Sequence, residues 1–345
     1  MKPHFALFLC VALASCASHM EITYDTDLKD VPQIQVLSEE AVLDKELLMP
    51  KEIFVLGDAL VVYDSSSPDG ILHFFGKDGR YITSFGKIGN AGKEFLLPYV
   101  YQDAEKLLLV SVKGTYAEIT YRDSLNVIYG AVEDKSVKEG INYLASTSDG
   151  MIVSSNASKD RLTFLKAGGR PVAYNDYPVK MPADVDPYFY KSVIWDSAYS
   201  CSFDGCNLFA AQRNYPVVEI IDVRTRKEKA VGIKTQFKNE YAIRKGIPEY
   251  DNVIICYTKS RASQSYFYSL YHGVEKKQIV TNCPEIHRYD RDCNLSGRIK
   301  LAPGTYSFAV DASDNIVYAL AMRQDGTVNF NKYIIREEYL HKPEV

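Results

Sequence analysis

The sequence has no excess of basic residues and, beyond its first residues, no long apolar run. It contains 40 Lys and Arg against 44 Asp and Glu, which gives a net charge of −4. A chain without surplus positive charge is poorly suited to neutralise phosphates, so we expect no nucleic-acid partner. No segment after Leu13 approaches the roughly 18 consecutive apolar residues typical of a membrane-spanning helix. A transmembrane helix is therefore not expected in the main body of the chain.

The sequence also lacks the short motifs of several common chemistries. It contains no G-x-S-x-G elbow, no Walker A motif, no dinucleotide fingerprint and no Cys-x2-Cys pair. Trp195 is the single tryptophan, which argues against enzymes that need tryptophan-containing repeats. His73 and His287 lie in strand-like runs and His272 at the end of one, where structural roles are commoner than catalytic ones. We therefore assign no catalytic residue, no cofactor and no metal ligand in the leading interpretation.

The first 16 residues are typical of a bacterial lipoprotein signal. Lys2 precedes an apolar run from Phe5 to Leu13, which is too short to cross a bilayer but suits a signal peptide. The run ends in Leu-Ala-Ser-Cys16, which resembles a lipobox whose cysteine thiol takes up diacylglycerol. An ordinary secretory signal and a buried N-terminal strand are the alternatives. We expect a signal peptide at residues 1–15 and a lipidated tether at residues 16–30.

A lipid on Cys16 predicts the location of the protein. More than one acyl chain is needed for stable anchoring, and bacterial lipoproteins satisfy this requirement. We therefore expect a cell-envelope protein that is held by its lipid in the outer membrane, on the periplasmic or the surface face. The membrane is the first predicted partner.

The remaining cysteines fit an exported protein. Of seven cysteines, the signal peptide removes Cys10 and lipidation uses Cys16, so an odd number remains. Two pairs are candidate disulfides in an oxidising compartment, namely Cys201 with Cys206 and Cys283 with Cys293. The alternative is free buried thiols, which we expect for Cys256 in any case because it lies within an apolar run.

Short apolar runs rich in Val, Ile, Tyr and Phe alternate with turn dipeptides such as Asp-Gly, which suit tight hairpins. Four runs between Glu52 and Gly86 make a unit of about 40 residues, and five comparable units follow, the second recognised from three runs that begin at Leu107. Four antiparallel strands per unit are typical of a propeller blade. We predict an all-β fold, a six-bladed β-propeller with four antiparallel strands per blade, over residues 31–345.

Two further expectations concern the edges of this fold. The strand Gln33–Leu37 is expected to pair with the last blade and close the ring. Helical periodicity is weak throughout the sequence. The one candidate for a short helix lies around Lys238 to Lys245. A two-sheet sandwich is the alternative architecture, although it explains the regular spacing less well.

The stretch from Gly86 to Pro98 reads GKIGNAGKEFLLP. It resembles the inter-blade signature G-x-x-G-x-x-G-E-F-x-x-P of NHL-type propellers and of the TolB-like six-bladed propeller lipoproteins of Bacteroidetes, with Lys93 as an inserted residue. Tyr266–Gly273 is similar to the fifth-blade segment of that family. The resemblance implies a shape and a location but almost no chemistry. In this interpretation the glycines let the chain cross tightly between blades, and Phe95 fills the space beneath.

One aromatic loop is the candidate binding site. Three aromatic residues beside two acids, with a tryptophan shortly after, form a candidate ligand mouth, although inter-blade core packing explains the same residues. The members of this candidate mouth are Asp184, Asp186, Tyr188, Phe189, Tyr190 and Trp195. Together with the anchor and the missing catalytic motifs, this loop predicts a membrane-anchored module that binds a protein, a peptide or a glycan.

Two other functions stay open from the sequence. The first is a propeller-type hydrolase or lactonase with a metal ion in the central channel. Its candidate ligands are Glu52, Asn142, Asn207 and Asn252. The second is a purely structural component of an outer-membrane assembly.

Replacing the lipidated cysteine tests the predicted anchor. The Cys16→Ala variant has no thiol to accept diacylglycerol, so we expect it in the soluble fraction after cell lysis, while the unmodified protein sediments with membranes. Immunoblotting of the two fractions measures the difference. A Cys10→Ala variant is the matched control and is expected to stay with the membranes. Membrane retention of the Cys16→Ala variant would refute the anchor.

Overall fold

A computed structural model describes residues 22–336, except residues 135, 138, 167–168, 179–180, 182–184, 236–241, 245–246 and 250–252. The predicted signal peptide and Cys16 lie outside the described residues. Within the described residues almost all regular structure is β-strand. None of the helices found there has the length and apolar character that crossing a membrane requires.

The described strands group into six sheets that follow one another along the chain, apart from a two-stranded hairpin between the fourth and fifth. The two strands before the first sheet and the strands of the first three sheets are β1 (Thr23–Thr26), β2 (Val36–Ala41), β3 (Pro50–Leu56), β4 (Ala59–Asp64), β5 (Leu72–Gly76), β6 (Tyr81–Phe85), β7 (Tyr99–Asp103), β8 (Lys106–Val110), β9 (Thr115–Tyr121), β10 (Leu125–Ala131), β11 (Ile141–Thr147), β12 (Gly150–Ser155), β13 (Leu162–Leu165) and β14 (Val172–Tyr174).

A short helix, α1 (Pro187–Phe189), continues into a π-helical turn at Tyr190–Ile194 and leads into the fourth sheet. Single 3₁₀ turns lie at Leu28–Asp30 and Lys276–Gln278. The remaining strands are β15 (Ser197–Cys201), β16 (Asn207–Gln212), β17 (Val217–Asp222), β18 (Glu228–Ile233), β19 (Ala242–Arg244), β20 (Ile247–Glu249), β21 (Ile254–Ala262), β22 (Phe267–Glu275), β23 (Glu285–Tyr289), β24 (Leu295–Lys300), β25 (Thr305–Val310), β26 (Ile316–Met322) and β27 (Val328–Ile335).

Each sheet is one blade of a six-bladed propeller. Blades 1 to 5 each use four consecutive antiparallel strands, beginning with β3, β7, β11, β15 and β21. Blade 6 uses the last three strands of the chain and takes its fourth from the N-terminal side, because β2 pairs antiparallel with β27. The all-β, six-bladed fold with four antiparallel strands per blade is thus confirmed.

The ring closes by the pairing of β2 with β27. Val36 lies opposite Ile335 and Ala41 opposite Phe330. The predicted closing strand Gln33–Leu37 therefore has its expected partner, but the ladder begins three residues later. Gln33 itself forms an isolated bridge to Arg298 in blade 5, so the chain crosses blade 5 before it reaches blade 6.

Six apolar clusters hold the blades together, one at each seam between neighbours. The cluster between blades 1 and 2 contains Phe54, Phe74 and Leu107, all fully buried. The blade interiors have apolar residues on both faces because each sheet is covered on both sides, as in other doubly covered sheets. Each fully buried aromatic or aliphatic side chain contributes about 1.5–3 kcal/mol, so the seams supply much of the stability of the ring.

The crossing from blade 1 to blade 2 has the geometry expected of the glycine-rich stretch. Gly86 has φ +81°, and a Cβ there would lie 3.1 Å from side-chain atoms of Ile71 and Leu109. Phe95 is 2% exposed and packs in the cluster between the two blades. The expected roles of Gly86 and Phe95 are confirmed.

Two sequence-based expectations differ from the structure near blade 4. Part of the predicted tether is folded, because β1 pairs in parallel with β18 at the outer edge of this blade. The expected helix around residues 238–245 is wrong in its described part, because Ala242–Arg244 pairs with Ile247–Glu249 as a β-hairpin. Strand pairing overrides the local helical pattern there.

The five cysteines of the described chain are free thiols. Cys201 lies in β15 with its Sγ 3.6 Å from the backbone oxygen of Ser146, and Cys206 has its Sγ 3.8 Å from Oγ of Ser148. Cys293 is buried between blades 4 and 5, whereas Cys283 is exposed. Neither candidate pair is joined in the described structure: Cys201 and Cys206 contact different groups, and Cys283 is exposed whereas Cys293 is buried. Cys256 is a buried thiol, as expected.

A fully buried ion pair joins blades 3 and 4. Arg161, which precedes β13, donates from Nη1 and Nη2 to the carboxylate of Glu219 in β17 at 2.8 and 2.7 Å. Both side chains are 0% exposed. Nε1 of Trp195 donates to the same carboxylate at 3.1 Å, and Nε2 of Gln212 also donates to it. The pair thus fixes the seam and the segment that leads into blade 4.

Removing one charge of this pair tests its structural role. The Glu219→Gln variant leaves the Arg161 guanidinium buried without a counter-charge, so we expect it to lose about 3–5 kcal/mol of unfolding free energy. Urea unfolding followed by circular dichroism measures the loss. Glu105→Gln is the matched control, because Glu105 pairs with Arg122 at the surface and such pairs contribute at most about 1 kcal/mol. Equal stability losses in the two variants would contradict the assignment.

Candidate functional site

A cavity of about 480 Å³ opens on the propeller axis. Its described walls come mainly from β3, β7, β11, β15 and β21, which are the innermost strands of blades 1 to 5. In β3, β7, β11 and β15 the lining residues lie near the first residues of the strand, for example Glu52, Tyr99 and Ser197, whereas in β21 they lie in its middle and second half. The cavity is therefore at the end of the ring where the innermost strands of blades 1 to 4 begin.

Five tyrosines line the cavity, on four neighbouring blades. Tyr99 and Tyr101 are two residues apart in β7, so they lie on one face of the strand, with their rings stacked at 6.3 Å. Tyr101 meets the ring of Tyr143 at 5.0 Å, and Tyr143 meets Tyr199 at 5.0 Å. Tyr257 completes the set and is fully buried. The rings from Tyr99 to Tyr199 form a continuous aromatic band in the cavity lining.

The buried phenol groups of Tyr101 and Tyr143 are neutral at physiological pH. Burial raises the pKa of Tyr101 and Tyr143 well above the usual value. A neutral phenol both donates and accepts hydrogen bonds. The hydroxyl of Tyr101 donates to the backbone oxygen of Asn142, which connects the rings of blades 2 and 3. Tyr99 is 38% exposed, so its ring is accessible at the cavity mouth.

Charged side chains of β3 and β21 form a further part of the cavity wall. Lys259 Nζ lies 2.7 Å from Oε1 of Glu52, and Nη2 of Arg261 lies 3.0 Å from Oε2. Burial acts to raise the pKa of the Glu52 carboxyl, but the two cations outweigh it and the pKa is lowered. Glu52 is therefore ionised, and both of its oxygens are engaged by cations.

Arg261 also connects three blades around the axis. Its Nε donates to the backbone oxygen of Phe308 at 3.1 Å, and its Nη2 donates to that of Ile53 at 3.3 Å. Its guanidinium lies 4.5 Å from the ring centroid of Phe54. Because β21, β25 and β3 belong to blades 5, 6 and 1, this single side chain holds together the blades on both sides of the closing blade.

Two more cations line the cavity, Lys191 from the segment before blade 4 and Arg213 from the turn between β16 and β17. Arg213 pairs with Asp196 at 3.4 Å. Nζ of Lys191 donates to three backbone oxygens at 2.5, 2.9 and 2.7 Å, those of Ser155, Ser158 and Asp160. Burial lowers the pKa of Lys191 to about 8. Its three donors are used within the protein, so it holds the α1 segment against blade 3.

The candidate ligand mouth is placed differently from the sequence-based expectation. Tyr190 and Trp195 are each 1% exposed and stack on one another at 6.4 Å in a buried cluster. They therefore pack inside the protein, as in the alternative interpretation. The reason is the compact π-helical turn, together with the hydrogen bond from Trp195 to the buried Glu219.

The remaining members of that group have other surroundings. Asp186 caps α1, because its Oδ1 accepts from the backbone nitrogens of Tyr188 at 3.0 Å and Phe189 at 3.2 Å. Tyr188 is 37% exposed. Asp184 lies outside the described residues. The segment still reaches the cavity, but through Ser192 and its neighbours.

The candidate metal ligands do not come together in the described structure. Glu52 and Asn142 both line the cavity, but the Glu52 oxygens are bound to Lys259 and Arg261. Asn207 begins β16, paired with Asp222 and away from the cavity. Asn252 lies outside the described residues. Among the residues described, no group of three or more His, Cys, Asp or Glu side chains is placed to hold a metal ion.

The strand histidines lie in the interior. His73 is 1% exposed. Nδ1 of His287 is 3.2 Å from the hydroxyl of Tyr257, which is in turn 2.6 Å from the hydroxyl of Tyr289. Nε2 of His272 is 3.0 Å from Oγ1 of Thr258. No histidine is among the described residues that line the cavity.

Comparison with known proteins shows the fold. No family model matches the sequence, and no curated protein matches it. A candidate exported protein of Bacteroides fragilis has a similar structure, with a TM-score of 0.56 and 11% identity over 92% of this chain and 99% of that one. A member of the DUF4221 family from Bacteroides vulgatus has a TM-score of 0.57 and 10% identity over 88% and 99%. The shared six-bladed propeller is what these matches establish.

A third similar structure is more distant. It is regucalcin, a calcium-binding protein from Agrobacterium tumefaciens, with a TM-score of 0.44 and 11% identity over 86% of this chain and 98% of that one. This degree of similarity carries no argument about a metal or an activity in the present chain. Nor do these comparisons identify the TolB-like or NHL-like family, which stays a prediction.

The buried His272 predicts a loss of stability in acid. Burial lowers its pKa from 6.5 to about 4, so between these values the unfolded chain binds a proton that the folded protein does not. The stabilisation is complete above pH 6.5 and declines as the pH falls towards 4. Between pH 7 and pH 4.5 we expect a loss of about 2.5 kcal/mol from this residue.

Urea unfolding of the unmodified protein and of His272→Gln at both pH values measures this contribution. The amide of Gln retains a hydrogen-bonding group for Thr258 but does not titrate. We expect a smaller acid-induced loss in the variant, with the contributions of the other groups common to both proteins. An identical pH dependence of the two unfolding free energies would contradict the assignment to His272.

Proposed function

We propose that this protein is an exported propeller lipoprotein of the cell envelope that binds a small polar ligand in its axial cavity. The lipobox-like sequence at Cys16 supports the anchor. The structurally similar protein from Bacteroides fragilis is also described as exported. The resemblance of the Gly86–Pro98 stretch to TolB-like and NHL-like propeller lipoproteins agrees with both.

The observation that supports the binding function is the tyrosine-lined cavity on the propeller axis. Its volume of about 480 Å³ lies within the range of roughly 300–1,000 Å³ that is usual for small-molecule sites. Its walls are side chains of rigid innermost strands, so the site is formed before a ligand arrives. Of the predicted ligands, the end of a glycan or of a peptide fits such a space, as a small molecule would, whereas the flat surface of a folded protein does not.

The described lining favours binding over catalysis. It contains neither histidine nor cysteine, so these residues cannot form a Ser-His or a Cys-His catalytic pair. Lys191 uses its three donors on backbone oxygens, and Glu52 is held by two cations. No observation on the described residues supports the hydrolase or lactonase alternative to a similar degree. A purely structural role would not require a polar, open cavity.

Blocking the cavity mouth tests this proposal. Ser192 lines the cavity and is exposed, so an indole ring in the Ser192→Trp variant would occupy the entrance without removing a charged group. We expect a ligand found by ligand-observed NMR, in a screen of sugars, amino acids and organic acids, to bind this variant at least tenfold more weakly. Thermal unfolding checks that the variant is folded.

Ser124→Trp is the matched control, because Ser124 is an exposed residue of the turn between β9 and β10. It is expected to leave the affinity unchanged. Binding that survives Ser192→Trp would place the ligand elsewhere. A screen in which no compound binds at about 1 mM, an affinity worth roughly 4 kcal/mol, would count against the binding function itself.

A further inference from the structure

The cavity is positively charged within an acidic protein. Its described lining contains four cationic side chains, Lys191, Arg213, Lys259 and Arg261, and two carboxylates, Glu52 and Asp196. These residues therefore carry an excess of two positive charges, whereas the whole chain has a net charge of −4. A cleft with one sign of charge and low-dielectric walls attracts ligands of the opposite sign.

The surplus charge that a ligand can reach lies on Lys259. Arg213 is balanced by Asp196, and Lys191 is enclosed by three backbone oxygens. Glu52 neutralises one of the two cations beside it, Lys259 and Arg261. Arg261 directs most of its donors to Glu52 and to backbone oxygens of three blades. Lys259 has three donors, and the described structure uses one of them, on Glu52.

This geometry favours a singly charged anion. Lys259 and Arg261 together carry one more charge than Glu52 neutralises. The single negative charge of a ligand carboxylate would balance it. A phosphate dianion would bring a second negative charge close to the Glu52 carboxylate, where like charges are repelled. The partly buried arrangement of Lys259, Arg261 and Glu52 therefore selects by charge number as well as by sign.

A second part of the cavity lining contains a hydrogen-bond acceptor without a partner. Nδ2 of Asn142 donates to Oδ1 of Asn156 at 2.8 Å, which fixes the orientation of the Asn142 amide. Oδ1 of Asn142 is buried and has no partner among the described residues. An unsatisfied buried acceptor costs about 1–3 kcal/mol. A ligand hydroxyl that displaced the groups covering this oxygen would recover this energy.

The tyrosine band provides apolar faces next to these polar groups. Tyr99 and Tyr199 lie partly exposed at the cavity, and their ring faces suit the C–H face of a sugar ring. The hydroxyl-bearing residues Ser154, Ser197 and Thr258 line the same space. Ser197 already donates to Trp195 and Gln212, and Thr258 is bonded to His272, so these hydroxyl oxygens serve a ligand mainly as acceptors. An aromatic face beside many small hydroxyl and amide groups suits a ligand that is both flat-faced and rich in hydroxyls.

From these features we propose that the ligand is an acidic saccharide, a sugar that carries a carboxylate as well as hydroxyl groups. Lys259 binds the carboxylate, Asn142 accepts a hydrogen bond from a sugar hydroxyl, and the exposed tyrosine rings cover the sugar face. This inference rests on the proposed binding function of the axial cavity and adds the chemical class of the ligand.

Isothermal titration calorimetry with matched probes tests it. The acidic probes are glucuronate, galacturonate and N-acetylneuraminate, and the comparison probes are glucose, glucose 6-phosphate and an acidic dipeptide. We expect at least one acidic sugar to bind at least tenfold more tightly than every comparison probe. We expect Lys259→Gln to lower that affinity at least tenfold and to change any affinity for glucose by a smaller factor.

Two further variants separate the charge of Lys259 from its structural contact with Glu52. Lys259→Arg keeps the positive charge and is expected to retain most of the acidic-sugar affinity. Lys77→Gln is the matched control, because Lys77 is exposed and paired with Asp58 at 3.4 Å, away from the cavity. It is expected to change nothing.

The outcomes distinguish this inference from the proposed function. Binding of glucose, the phosphate or the dipeptide as tightly as the acidic sugars overturns the acidic-saccharide inference. So does failure of all three acidic sugars to bind, or binding that is insensitive to Lys259→Gln. In each of these cases the proposed binding function still holds if another ligand binds the unmodified protein and binds the Ser192→Trp variant more weakly. It is refuted if no ligand behaves in this way.

Discussion

The pairing of β2 with β27 is the constraint on which the rest of the structure depends. It joins the first part of the chain to the last blade and turns a row of sheets into a ring. Only in a closed ring do blades 5, 6 and 1 meet at the axis, where Arg261 contacts Glu52 and the backbone of Phe308. The charged wall of the cavity therefore follows from a strand pairing at the outer edge of blade 6.

The seam between blades 3 and 4 adds a second constraint. The Arg161–Glu219 pair is fully buried, and burying two charges costs several kcal/mol unless their hydrogen bonds are satisfied. Trp195 and Gln212 provide further donors to Glu219. The same network holds the α1 segment in place and thus directs Lys191 and Ser192 to the cavity. The innermost strands and this segment together form a binding site of fixed shape.

Much of the fold was predictable from the sequence, because period-2 patterns and Asp-Gly turns are local signals. β7 was not among the runs recognised, since Tyr99–Asp103 mixes aromatic and polar residues as a cavity-facing strand must. The binding site was predicted poorly because its residues also lie on strands of mixed aromatic and polar character. Tyr190 and Trp195 stood out by composition but are core residues, whereas Lys259 and Asn142 are brought together only by the ring. Contacts across more than a hundred residues leave no local pattern.

Ring closure is the central claim, and hydrogen exchange followed by mass spectrometry of the intact protein tests it most directly. If closure stabilises the whole ring, peptides covering β2 and β27 will exchange as slowly as those covering the innermost strands β3 and β21, because all of them open only in global unfolding. Rapid exchange of β2 and β27, with β3 and β21 still fully protected, would show that the cavity does not depend on the closing strand and would contradict the account.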